Sequence, residues 1–298
     1  MCGLLDLFIR QYYKYIAIPL AQRKLRDIHI MNSIDSIKYI IDNRCSVSRF
    51  GDGEFDVMMG KNGNTFQKAN SELADRLFRV LKSNGDSNHM IGIPYPIKGT
   101  RNLSKGAVDF WSFYVLRNVD FLTKNLTTSK IYLDTQLSRF YCIYEKSDHC
   151  DYQLKLLKQI WDKKDVLIIE GVQSRTGIGN DLYNNAKSIR RILGPATDAY
   201  SKYTQMLNTI IKNAQKDDLI LLSYGMCATV LAYELSKLGY WAIDIGHLDI
   251  EYEWYLMGDK DRPAIKGKFT NEAVNGNKVE QCDDILYQSQ IICDITKE

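Results

Sequence analysis

Apolar and polar positions along the chain follow two alternating rhythms. Short runs rich in Val, Ile, Leu and Tyr, bounded by Gly, Pro, Asn or Asp, predict strands at 46–51, 90–95, 130–135, 165–171, 218–225 and 240–246. Between them the period lengthens. In NSELADRLFRVLKS (70–83) it places Leu73, Leu77, Val80 and Leu81 on one helical stripe, and in CATVLAYELSKLG (227–239) it does the same with Val230, Leu231, Leu235 and Leu238 before Gly239 caps the end. Strand, helix and strand in alternation predict an α/β fold, a mainly parallel sheet flanked by helices on both faces.

Such sheets collect ligands at the carboxyl ends of their strands. That rule selects residues: Asp52 and Glu54 follow the first predicted strand, Asp134 ends the third, Glu170 to Asp181 follow the fourth, Gly225 and Met226 the fifth, and Gly246 to Glu253 the sixth. There is no internal repeat or low-complexity tract. Residues 259–298 are more polar and less patterned, the expectation for an irregular tail wrapped on the domain.

Composition narrows the classes. The 298 residues are 45% hydrophobic, enough for a core, and 39 basic against 36 acidic residues leave a charge of +3, too balanced for a nucleic-acid surface. Seven scattered cysteines without a C-x-x-C pair indicate neither a disulfide framework nor a zinc site, so reduced thiols in a cytoplasmic protein are expected. Near the N-terminus, Asp6, Arg10, Lys14, Pro19 and Arg23 interrupt the apolar clusters, so no run there can span a bilayer and no signal peptide is expected. The stretch LLDLFIRQYYKYIAIPLAQRKLR suits an amphipathic helix packed on the domain, or one whose basic residues meet an anionic membrane surface.

Three constellations carry candidate chemistry. Asp52 and Glu54, joined by Gly53, can offer two oxygens to a hard cation such as Mg²⁺ or Mn²⁺ whose other positions go to water and phosphate; the alternative is a turn in which Asp52 bonds nearby backbone N–H groups. In EGVQSRTGIGNDLYNNAKSIRRIL, a loop with Gly171, Gly177 and Gly179 follows a strand. Asn180 or Asp181 there can cap a helix carrying Leu182, Ala186, Ile189 and Leu193, with Arg175 beside its N-terminus to meet a phosphate; the alternative is a plain strand-loop-helix connection. In IDIGHLDIEYEW, His247 and the acids around it can supply a general base or further ligands, or form a solvated helix face. His29, His89 and His149 have no partner pattern.

SRFGDGEF, IIEGVQSRTGIGNDLYNNAKSIRRILGP, VLAYELSKLGYWAIDIGHLDIEYEW and GKFTNE together resemble the GT-D type glycosyltransferase family, first catalogued as a domain of unknown function and found in bacterial gene sets for surface-protein glycosylation and cell-surface polysaccharides. The resemblance runs from about residue 35 to about 275, leaving 1–34 as an N-terminal amphipathic helical segment and 276–298 as a tail. It implies a Rossmann-like nucleotide-binding fold and a divalent cation, Mn²⁺ or Mg²⁺. The implied reaction moves a hexose from a UDP-sugar to a hydroxyl of a glycan, lipid-linked or glycoprotein acceptor, in the cytoplasm or peripherally at the inner face of the membrane through residues 1–26. Position by position, it places the metal on Asp52 and Glu54, and nucleotide contacts on Arg49, Gly51, Arg175, Gly177, Gly179, Asn180, Asp181 and Gly225. It places the G-H-x-x-x-E-x-E stretch on Gly246, His247, Glu251 and Glu253, with His247 or Glu253 as the base. SYGMCAT departs from the family's turn after the fifth strand, so Ser223, Tyr224 and Met226 alter that wall. A metal-dependent nucleotide-sugar or phosphoester hydrolase and a non-catalytic nucleotide- or glycan-binding subunit are the two alternatives.

Overall fold

The computed structural model describes residues 11–61, 66–84 and 88–297, and expectations for residues 1–10 lie outside them. In chain order the elements are α1 (Ile18–Leu25), β1 (His29–Ile30), α2 (Ser33–Asn43), β2 (Ser46–Arg49), α3 (Asp52–Met58), α4 (Ser71–Lys82), β3 (His89–Ile93), α5 (Lys105–Asn125), β4 (Ile131–Asp134), α6 (Cys150–Ile160), β5 (Asp165–Gly171), β6 (Ser188–Gly194), α7 (Tyr203–Asn213), β7 (Leu219–Ser223), α8 (Gly225–Lys237), β8 (Trp241–Asp244), α9 (Leu248–Met257), α10 (Ile285–Gln290) and β9 (Ile291–Asp294). Helix starts follow local chemistry. Asn32 and Asn70 accept from the N–H of Asp35 and Leu73, each at 2.9 Å, and so satisfy donors that the helix itself leaves orphaned.

The strands form one sheet in the order β1-β4-β3-β2-β8-β7-β5-β6-β9, and every pair is parallel. Apolar clusters lie on both faces. Leu73, Leu77, Met206, Val230 and Leu231 from α4, α7 and α8 pack on one; Ile37, Ile40, Leu157, Ile160 and Trp254 from α2, α6 and α9 pack on the other. Burial of side chains of this kind contributes about 1.5–3 kcal/mol each, and it fixes which strand ends stand next to each other. β2 pairs with β3 on one side and β8 on the other, so the chain's direction of travel across the sheet switches between β2 and β8. A crevice is expected there.

All six predicted strands are present, as β2, β3, β4, β5, β7 and β8. β1, β6 and β9 were not anticipated. β6 replaces the second half of the helix expected after Asn180: residues 178–187 form turns, and Ile189 to Leu193 lie in the sheet. The segment expected to be an irregular tail also carries α10 and β9, and β9 pairs with β6. Arg191 explains both differences. Its guanidinium, 1% exposed, pairs with Glu170 at 2.7 Å, bonds Gln290 of α10 at 2.7 Å and lies over the Tyr287 ring. A buried arginine in mid-strand breaks the apolar run by which a strand is recognised.

Residues 11–25 form one helical stretch, π-helical over Tyr13–Ala17. Ala21 and Leu25 are buried against the domain, while Tyr12, Tyr13, Tyr15, Ile16 and Leu20 are exposed. Among the described residues no helix is long and apolar enough to cross a membrane, and the six described cysteines are free.

Candidate active site

A cavity of about 740 Å³ opens over the switch point. Its walls come from the loops after β2, β4, β5, β7 and β8, from the start of α5 and from the segment between α9 and α10, which supplies Lys260, Arg262, Phe269, Asn271 and Glu272.

The loop after β2 turns at once into α3. The Glu54 carboxylate reaches back to accept from the Gly51 N–H at 2.7 Å, which caps the helix and points both acids of Asp52-Gly53-Glu54 into the cavity. Asp52 is open to the cavity and accepts no side-chain hydrogen bond among the described residues. The concave walls still desolvate it, which raises its pKa. Burial, with Asp244 nearby, pushes Glu54 up to about 7. Two partly desolvated carboxylates suit a cation, but no group of three or more His, Cys, Asp or Glu among the described residues forms a cage. A divalent ion at this pair would need its remaining ligands from water or from a bound molecule.

Across the crevice, β8 ends at Asp244, whose carboxylate accepts from the Gly246 N–H at 3.0 Å, from the Thr229 hydroxyl at 3.2 Å and from Arg49 at 3.5 Å. Arg49 crosses from β2 so close to Gly246 that a Cβ there would lie 1.9 Å from its Nη1. Gly246 also has φ +50°, so this position is restricted twice over. His247 follows and lines the cavity, its buried Nδ1 unpartnered among the described residues; burial, with Arg139 nearby, lowers its pKa to about 4, so the ring is neutral near pH 7. Gly225, φ +55°, opens α8 against the Phe66 ring, which lies 6.0 Å from Phe269 and forms an aromatic shelf.

The loop after β4 brings in residues that motif reasoning missed. Asp134 is a turn residue: its carboxylate accepts from Gln136 N–H at 2.9 Å, Tyr95 N–H at 3.0 Å and the Ser33 hydroxyl at 2.6 Å, and burial raises its pKa to about 6. Five residues later Arg139 enters the cavity, where Glu272 bridges it to Arg262. Burial would raise the Glu272 carboxyl, yet the Arg139 guanidinium beside it holds it at about 2. Glu251 does not line the cavity. Fully buried, it accepts from the N–H groups of Tyr141 and Cys142 at 2.9 and 2.6 Å and so fixes the loop that carries Arg139.

A sequence model described as "Glycosyltransferase GT-D fold" matches residues 47–273. The chain belongs to the GT-D glycosyltransferase family. It is 36% identical over 283 residues to "Probable glycosyl transferase Gly" of Streptococcus gordonii and 33% identical over 282 residues to "Glycosyltransferase GlyD" of Streptococcus pneumoniae, covering 94% and 95% of this chain. It spans only 41% and 34% of those longer relatives. Among solved structures, that of the domain of unknown function 1792, described as having a distinct glycosyltransferase fold, superposes with TM-score 0.87 at 35% identity over 93% of this chain and 99% of that one. A glycosyltransferase of the same domain type from Streptococcus sanguinis gives 0.85 at 35% identity, over 90% and 99% of the two chains.

Within this GT-D chain the three constellations part company. Arg49, Gly51, Asp52, Glu54, Gly225, Gly246 and His247 meet at the cavity, while Arg175, Gly177, Gly179, Asn180, Asp181, Glu251 and Glu253 do not line it. No helix N-terminus stands at Asn180 or Asp181 to offer N–H groups to a phosphate. Arg175 instead donates to the carbonyls of Gly267, at 2.7 Å, and Glu280. Asn180 donates to Asp249 at 2.8 Å and to Glu253 at 2.7 Å, both acids pair with buried Lys268, and the Gly177 N–H completes the cluster on Asp249 at 2.8 Å. Asp181 pairs with Lys158 at 2.9 Å on the outer side. Arg139, Arg262 and Glu272 lie in irregular loops; the sequence marks Arg139 only as a charge beyond a strand end and Glu272 only as part of GKFTNE, and gives Arg262 no signal.

Proposed function

We propose that this chain moves a hexose from a UDP-sugar to an acceptor hydroxyl. The observation that carries the reading is the Asp52 and Glu54 pair, aimed into a large cavity at the switch point and short of the ligands needed to hold an ion alone. These two residues would hold Mn²⁺ or Mg²⁺, whose part is to neutralise the diphosphate as it leaves. Phe66 and Phe269 offer a shelf on which a base stacks. Arg49, fixed by Asp244, adds positive charge where the bond breaks. Of His247 and Glu253, the two residues considered as base, only His247 faces the cavity, with a neutral ring able to accept the hydroxyl proton.

The acceptor belongs to a cell-surface polysaccharide or glycoprotein glycan, and the reaction is placed in the cytoplasm. The exposed face of residues 11–25, which together with Arg26 holds Lys14, Arg23 and Lys24 and no acid, meets an anionic membrane surface.

UDP release from a panel of UDP-sugars, with Mn²⁺, Mg²⁺ or EDTA, tests the reading. Metal-dependent turnover of one donor, reduced about 10²–10³-fold in Asp52→Ala and Glu54→Ala, is expected. Free sugar as the main product with acceptor present would favour the hydrolase, and UDP binding without turnover would favour a binding subunit.

A further inference from the structure

Arg139 and Arg262 approach the cavity from different segments of chain and share one acid. Among the described residues Glu272 is the only carboxylate in ion-pair range of either guanidinium, one of its oxygens on each. All three side chains are partly open to solvent, at 22%, 35% and 25%. Lys260 adds a third cation on the same wall. Its ammonium donates to the Tyr144 and Glu145 carbonyls at 2.9 and 3.0 Å and has no acidic partner among the described residues.

The backbone of Glu272 is lightly held. The segment carrying it is anchored on both sides, by Lys268 in its buried pairs with Asp249 and Glu253, and by Arg175 on the Gly267 and Glu280 carbonyls. Between the anchors, Thr270 N–H bonds Gly276 O at 2.8 Å and closes a small loop. Glu272 lies within that loop, and its own backbone makes no hydrogen bond among the described residues. Its carboxylate can therefore withdraw without breaking a backbone pair. Two guanidinium forks around one anionic group form an arrangement that binds phosphoryl oxygens as readily as carboxylate oxygens.

We propose that Arg139 and Arg262, with Lys260 beside them, form an anion subsite for a phosphoryl group, and that Glu272 is its built-in placeholder, displaced when the ligand enters. The inference deepens the reading of this cavity as a glycosyltransferase site and rests on it for the ligand class. The phosphoryl group comes from the donor diphosphate or from a diphosphate-linked acceptor.

Calorimetric titration of the full chain with inorganic pyrophosphate, in EDTA and at low salt, tests this without any need for turnover. Arg139→Gln and Arg262→Gln should each weaken binding about tenfold or more, since each removes a charge-assisted contact. Glu272→Gln should tighten it several-fold, because a competitor is gone. Arg262 lies on the outer loop, so its variant keeps the test valid should Arg139→Gln unfold in a thermal melt. Repeating the titrations with UDP and with a short polyprenyl diphosphate assigns the source: whichever loses affinity in the arginine variants supplies the group. If Glu272→Gln binds pyrophosphate no tighter than the parent, or if folded arginine variants bind it equally well, the proposal is overturned. An intact pyrophosphate pattern in a protein that turns over no UDP-sugar would sink the proposed reaction and leave the subsite standing.

Discussion

Glu54 shows how a single side chain can serve the site at a cost to the fold. Its carboxyl ordinarily titrates at 4.5 and is raised to about 7 by burial and by Asp244. Between those values the folded chain keeps a proton that the unfolded chain has released. The stability Glu54 contributes is thus full below pH 4.5 and lost as the pH rises through 7. Glu54→Gln retains an acceptor for the Gly51 N–H and carries no charge. Urea unfolding should find it equal to the parent near pH 4.5 and more stable above pH 7 by up to about 3 kcal/mol. A difference that stays constant with pH would show that Glu54 is not raised. His247 works in the opposite sense, its contribution lost as the pH falls from 6.5 to about 4, which is why the comparison is made between variants and not along one curve.

At the scale of elements, legibility followed exposure to regular pattern. The six strands found from sequence are those whose buried charges sit at or near their ends and leave the apolar run whole, and the residues that directly follow β2, β7 and β8 were located because a strand end fixes where the next few side chains stand. β6 was hidden by Arg191 and Arg190, and Ile189 and Leu193, four apart, fit a helix as well as the sheet they occupy. Arg139, Arg262 and Glu272 escaped notice because tertiary packing, not local period, carries their loops to the cavity. The segment from Asp259 to Asp284 depends on its anchors in the same way. Lys268, 4% exposed, holds Asp249 and Glu253 at 2.7 Å each. Lys268→Met leaves both acids without their cation, with Asn180 and the Gly177 N–H still donating to them, and a loss of about 3 kcal/mol in urea unfolding is expected, with faster proteolysis inside 259–284. A loss below about 1 kcal/mol would mean that solvent reaches the cluster.

Across the whole molecule, α5 connects the cavity to the N-terminal helix. Phe110 lines the cavity and is exposed; Phe113, one turn on, lies 6.3 Å from Tyr13, and Tyr13 lies 5.8 Å from Tyr12. α5, which carries both Phe110 and Phe113, therefore runs from the cavity wall to the helix proposed to meet the membrane, and interfacial Tyr and Phe favour that placement. Replacing Tyr12, Tyr13 and Tyr15 by Ser should release the chain from sedimenting anionic vesicles while leaving UDP release with a soluble acceptor unchanged. Undiminished sedimentation would remove the membrane from the account.

The close approach of Arg49 to Gly246 has a consequence for how such chains can vary. Arg49 occupies the space that a side chain on residue 246 would need, so the two positions, 197 apart in the sequence by their numbers, are coupled in space. A side chain on residue 246 would have to displace the Arg49 guanidinium, and with it the contact to Asp244 that orients the arm, while still holding a positive φ.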